Sequence, residues 1–97
     1  MDACGLRGAE IDEQRRRHEA LARSATRVER QATTIRVRFD DSLDRGLLDE
    51  MIRVERSCCP FFRIDYDENE RRLSLAVNDP AMAPALEVIA ERLGADR

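Results

Sequence analysis

The sequence predicts an α+β fold in the order α-β-α-β-β-α, with a three-stranded antiparallel sheet of strand order 1-3-2 covered by helices. Three observations carry this reading. Apolar residues recur at steps of three and four over 9–32, 47–59 and 82–93, the spacing of amphipathic helices. Apolar and polar residues alternate over 33–39, 62–66 and 73–77, the period of half-buried strands. Polar turn formers separate these runs: Asp40-Asp41-Ser42, Asp67-Glu68-Asn69-Glu70 and Asn78-Asp79-Pro80.

The elements follow in order. Residues 1–8 read as a flexible N-terminal segment, and 9–32 as one amphipathic helix with the stripe Ile11, His18, Leu21, Ala25, Val28 and Ala32. Its other faces carry Arg15, Arg16, Arg17, Arg23, Arg27 and Arg30 among glutamates, so the helix needs a partner surface to persist. The remainder, 33–97, reads as a β-α-β-β-α core. Ile35, Val37 and Phe39 form the inner face of the first strand, with Arg36 and Arg38 outside. Asp40, Asp41 and Ser42 offer capping side chains, and Asp44 falls in the first turn of the second helix, where the helix dipole favours an anion. That helix presents Leu47, Leu48, Met51, Ile52, Glu55, Cys58 and Cys59 on one broad face and stops where Pro60 disfavours helical geometry in the residue before it. Phe62, Ile64 and Tyr66, then Leu73, Leu75 and Val77, make a hairpin. Met82, Leu86, Ile89 and Leu93 line the last helix, with Pro84 in its first turn and Gly94 ending it. The last five elements resemble half of a ferredoxin-like fold.

At 97 residues the chain fits a single domain with little stability to spare. A charged fraction of 38% and a net charge of -3 suit a soluble protein, and the longest apolar runs fall far short of the roughly 20 residues that cross a bilayer. The start lacks the apolar core of a secretory signal, so the expected compartment is the cytoplasm and no membrane partner is expected. Every basic residue is arginine. The basic residues of the first helix alternate with glutamates, a solvated face laced with i,i+4 pairs rather than a phosphate-binding patch, so nucleic acid is not an expected partner. The heptad-like stripe instead suggests a homodimer through the N-terminal helix.

Cysteine usage is the distinctive feature. Cys58 and Cys59 are adjacent at a helix end, and the third thiol, Cys4, lies before the first helix. A disulfide between neighbouring residues closes a strained ring, whereas soft thiolates select thiophilic ions such as mercury(II), arsenic(III), copper(I) or zinc. Three thiolates suit a trigonal ion, and His18 would complete a Cys3His zinc set. Glu55, one turn before the pair, is a candidate supporting group that positions the thiols by hydrogen bonding. A nucleophilic cysteine fits less well, because a helix C-terminus and a nearby carboxylate both suppress the thiolate. Coordination to a dication deprotonates a thiol outright. The bland alternatives are thiols serving as small core hydrophobes, an accidental Cys4, a histidine satisfied at the core edge, and Glu55 as an ordinary solvated helix residue.

The run Glu55-Arg56-Ser57-Cys58-Cys59-Pro60-Phe61-Phe62 resembles a group of small, mostly uncharacterised bacterial proteins with a Glu-x-x-Cys-Cys-(Pro or Ala)-Phe motif. Cys4, Glu55, Cys58, Cys59, Pro60 and Phe61 stand at the matching positions, and the similarity of plan extends over nearly the whole chain. The resemblance implies an association with heavy-metal or metalloid resistance and makes Cys4 a third ligand. It brings no established activity.

The expectation is thus a binder of a thiophilic metal or metalloid rather than an enzyme, held by Cys4, Cys58 and Cys59 with His18 as a further ligand and Glu55 behind them, and acting as sensor accessory, chaperone or buffer. Two alternatives stand beside it: a thiol redox switch or thiol enzyme, and a structural or dimeric interaction domain with buried cysteines.

Overall fold

The computed structural model describes residues 8–58 and 60–94, with all side chains among them except that of Cys58. Its elements are α1 (Gly8–Ala22), β1 (Ala25–Arg30), β2 (Thr34–Phe39), α2 (Arg45–Cys58), β3 (Phe62–Asp67), β4 (Arg72–Val77), a 3-10 turn (Pro80–Met82) and α3 (Ala83–Arg92). The class is α+β. The sheet, however, has four antiparallel strands in the order β1-β2-β4-β3, which corrects the expected three-stranded sheet of order 1-3-2 and the expected α-β-α-β-β-α succession.

The added strand comes from the second half of the segment expected to be helix over 9–32. Helix α1 stops at Ala22: Arg23 N–H donates to the Ala20 carbonyl, and both the amide and the hydroxyl of Ser24 donate to that of Leu21, closing the last turn. The Ser24 carbonyl then accepts from Asp40 N–H, and β1 pairs back along β2 with Val28 opposite Val37 and Ala25 opposite Phe39. A β-bulge leaves Thr26 unopposed between those pairs. The bulge lets Ala25 and Val28, three apart, share the inner face. Spacing of three is what a helix shows and what a regular strand forbids, which explains the helical reading of this stretch.

Ile35, Val37 and Phe39 of β2, Leu73, Leu75 and Val77 of β4, and Phe62 and Ile64 of β3 are buried on one face of the sheet. The helices cover that face, α2 against β3 and α3 against β2 and β4, while α1 packs on α2 and α3. Leu21, Leu48, Met51, Leu86, Ile89 and Leu93 complete one apolar core. Each such side chain contributes about 1.5–3 kcal/mol by leaving water. Arg36, Arg38, Arg63 and Asp65 point from the opposite, solvated face.

Local chemistry sets the element ends. Asp44 precedes α2 rather than lying in its first turn, and its carboxylate accepts from Leu47 N–H at 3.0 Å, an N-cap. Asp40 accepts from the amide and the hydroxyl of Ser42, and these two bonds hold its carboxyl below the ordinary value. Asp79 caps the 3-10 turn through Ala81 N–H at 2.9 Å. Pro84 lies in the first turn of α3, where its missing N–H costs no helical bond. Gly94, at φ 100°, takes the left-handed conformation that follows α3.

Candidate metal centre between the first two helices

Helix α1 buries Gln14, His18, Leu21 and Ala22, and α2 meets it with Met51 and Glu55. Three of these six are polar, an unusual burden for a helix contact in so small a core. The Gln14 amide Nε2 donates to the Met51 carbonyl at 3.0 Å and to Glu55 Oε2 at 3.1 Å. Its own oxygen accepts from Arg17 Nη1 at 2.8 Å, which fixes which way the amide faces. Glu55 is only 5% exposed, and the Gln14 bond is what steadies its carboxylate.

His18 completes the cluster without being satisfied by it. Its Nε2 lies 3.7 Å from Glu55 Oε2, beyond hydrogen-bond reach, and neither ring nitrogen has a hydrogen-bond partner. The residue is 1% exposed. A buried polar atom with no partner forfeits its hydration for nothing, at a cost of about 1–3 kcal/mol, and most such atoms in folded proteins are paired. An imidazole nitrogen left in this state is a lone pair or an N–H available to something else.

The thiols stand next in the chain. Cys58 is the last residue of α2, three positions after Glu55, the separation at which helix positions are neighbours. Its side chain, Cys59 and Cys4 lie outside the described residues, so the expected ligand set is not brought together by the described side chains. Among the described residues no group of three or more His, Cys, Asp and Glu side chains is gathered closely enough to hold an ion. What the structure does bring together is His18 and Glu55, neighbours in one buried locus across the two helices, a juxtaposition that the sequence did not announce.

The arginines that flank the motif are engaged elsewhere. Arg56 Nη2 donates to the Ile64 carbonyl at 2.7 Å, and Arg53 binds both oxygens of Glu50 at 2.5 and 3.0 Å, a bond that holds the Glu50 carboxyl below its usual value. Beyond the motif, Phe61 and Phe62 pack ring to ring at 4.7 Å with a 55° tilt, and Phe62 enters the core. This packing anchors the chain immediately after the thiols.

Gln14 is the site residue that sequence reading passed over. The signal was present, since position 14 falls on the same three-and-four stripe as Ile11, His18 and Leu21, and an amide on a narrow apolar stripe calls for a buried partner. No family model, curated protein or solved structure matches the chain. The residue roles therefore rest on geometry and chemistry.

Proposed function

We propose that this chain binds a thiophilic metal or metalloid ion through the thiolates of Cys58 and Cys59, joined by Cys4 and by the imidazole of His18, with Glu55 and Gln14 as the hydrogen-bonded frame behind them. The observation that carries the reading is the unpartnered, fully buried imidazole of His18, held against Glu55 one helical turn before Cys58. A metal ligand is a role in which one imidazole nitrogen needs no protein hydrogen bond, and a carboxylate near a ligating imidazole can take its other N–H once the ring settles on the ion. The similarity of the Glu55-to-Phe62 run to proteins associated with metal or metalloid resistance points the same way.

In this arrangement each residue has a separate task. The thiols supply soft, anionic donors that become thiolates on coordination, with release of protons. His18 supplies a borderline nitrogen donor, and the choice among mercury(II), arsenic(III), copper(I) and zinc depends on whether three sulfurs bind alone or with that nitrogen. Titration of the reduced full-length protein with each ion, followed by thiolate charge-transfer absorption and native mass, should show one ion per chain. Cys58→Ser and Cys59→Ser should abolish uptake, and His18→Asn should weaken it by at least about tenfold, the lower end of what loss of a partner behind a ligand costs. Absence of uptake of all four ions, or uptake unchanged in the cysteine variants, overturns the proposal.

The same His18–Glu55 pair favours one second reading, a redox switch in which a thiol beside an imidazole is oxidised and resolved by Cys4. Peptide mapping after mild peroxide separates the two readings, because the switch requires a disulfide between Cys4 and Cys58 or Cys59.

A further inference from the structure

The two outer strands of the sheet are treated differently. On β3, the backbone groups of Phe62, Ile64 and Tyr66 face away from β4, as follows from the alternation of the β2–β4 and β3–β4 ladders. Arg56 reaches over from α2 and donates to the Ile64 carbonyl at 2.7 Å, so this edge is partly capped. On β1, Gln31 N–H donates to the Thr34 carbonyl at the hairpin turn. Alternation from that bond directs the groups of Arg27 and Glu29 toward β2 and leaves the N–H and C=O of Val28 and Arg30 on the open side. Among the described residues no side chain caps the backbone of Val28 or Arg30.

The open edge is also self-complementary. Arg27 and Glu29 stand on the solvated face of the sheet, opposite Arg38 and Arg36 of β2; they form an ion pair with each other at 3.0 Å yet stay 67% and 49% exposed, so each keeps room to share its charge with a partner across the seam. Val28, between them, faces the helix side and packs against the core. If a second β1 pairs antiparallel about Val28, the two Val28 residues exchange both backbone hydrogen bonds. Arg27 of each copy then lies directly opposite Glu29 of the other. A shift of register by one residue puts the valines on opposite faces and removes the match, so charge, hydrogen-bond polarity and side-chain facing select one register.

We propose that β1 is the two-fold edge of a homodimer, in which two four-stranded sheets join through Val28 with reciprocal Arg27–Glu29 contacts across the seam. The occupant is a second copy of this chain because the pairing is isologous: Arg27, Val28 and Glu29 supply both halves. The bulge at Thr26 limits the regular part of the seam to a short stretch, and two-fold pairing uses up this edge in both copies. Arg30, the last residue of β1, is bound to Glu87 of α3. The proposal is independent of the ion site.

Sedimentation equilibrium and native mass spectrometry of the full-length protein at high micromolar concentration should report twice the chain mass, and the Val28 amide should become protected from hydrogen exchange as concentration rises. Val28→Pro removes the outward-facing N–H without touching the donors and acceptors of the β1–β2 ladder; it also gives up some core packing, so its fold is checked by circular dichroism, and the folded protein should be a monomer. Arg27→Glu and Glu29→Arg each place like charges opposite one another and should also be monomeric, while an equimolar mixture of these two variants should recover the dimer mass. A wild-type protein that stays monomeric, a dimer that persists in both charge variants, or folded single variants whose mixture stays monomeric overturns the proposal.

Discussion

His18 and Glu55 show how one residue's chemistry depends on its neighbour. Glu55 is stabilised by the Gln14 amide, and His18 gains no hydrogen bond from either. Removing Glu55 alone therefore strands Gln14 with a single acceptor and leaves His18 without its carboxylate, whereas removing both leaves a drier, better matched interior. Glu55→Met should destabilise the ion-free protein by about 1–3 kcal/mol, and His18→Leu added to it should recover much of that loss. A double-mutant cycle by urea unfolding should find coupling of about 0.5–3 kcal/mol, and additivity would show that the two side chains do not interact. The sequence singles out Glu55 because it lies one turn before two thiols, and His18 because it is the chain's single histidine on an apolar stripe; their burial side by side is what the structure adds. Gln14 stood on the same stripe, a sign that it is buried, but its partner on another helix is not written in the local pattern.

Among the elements, α2 was the most legible. Leu48, Met51, Ile52 and Glu55 share its buried face, and its ends coincide with chemistry visible in the chain, Asp44 before it and Pro60 after it. Asp44→Ala removes the bond to Leu47 N–H and should cost about 1 kcal/mol, read as a lower urea midpoint with an unchanged slope, while Asp44→Asn should retain most of the stability. The first strand was the least legible element. Its sequence, Ala25-Thr-Arg-Val-Glu-Arg30, has one large apolar residue and continues the charge pattern of α1 without a break. What makes it a strand is β2: Val28 gains Val37, Ala25 gains Phe39, and the ladder supplies hydrogen bonds that a helix continued past Ser24 would make only with itself. Tertiary pairing outweighs the few tenths of a kcal/mol per residue that separate helix from strand propensity here. The face of α1 that suggested a dimer is buried against α2 and α3 of the same chain, and the open edge lies on β1 instead.

At the scale of the molecule, the charge inventory leaves few groups to titrate in alkali. There is no lysine, arginine stays protonated, and beside the three thiols stands Tyr66, the only tyrosine. Burial raises its phenol above the usual 10.0, outweighing the Arg45 guanidinium that lies 4.4 Å over the ring and favours the phenolate. A group whose folded value is raised is neutral longer in the folded than in the unfolded chain. Its stabilising contribution is therefore complete below about pH 10 and is lost as pH rises through the folded value. The phenolate ultraviolet band should titrate above pH 10.0 in the native protein, and Tyr66→Phe should flatten the loss of stability in that window relative to wild type. An unshifted titration would mean that the ring is solvated.

By itself, the sequence determined the α+β class, the three helical stretches, the strands at β2, β3 and β4, and the placing of Glu55 one turn before the thiols, because each of these is written in local periodicity, capping residues or chain-adjacent spacing. Only the tertiary structure decided that residues 25–30 leave α1 to become a fourth strand, that Gln14 bridges to Glu55, and that the histidine of α1 is buried without a hydrogen bond. Those outcomes depend on partners 9 to 41 residues away in the chain, such as Val37 for Val28 and Glu55 for Gln14. No local pattern encodes the free energy of a contact whose other half lies on a different element.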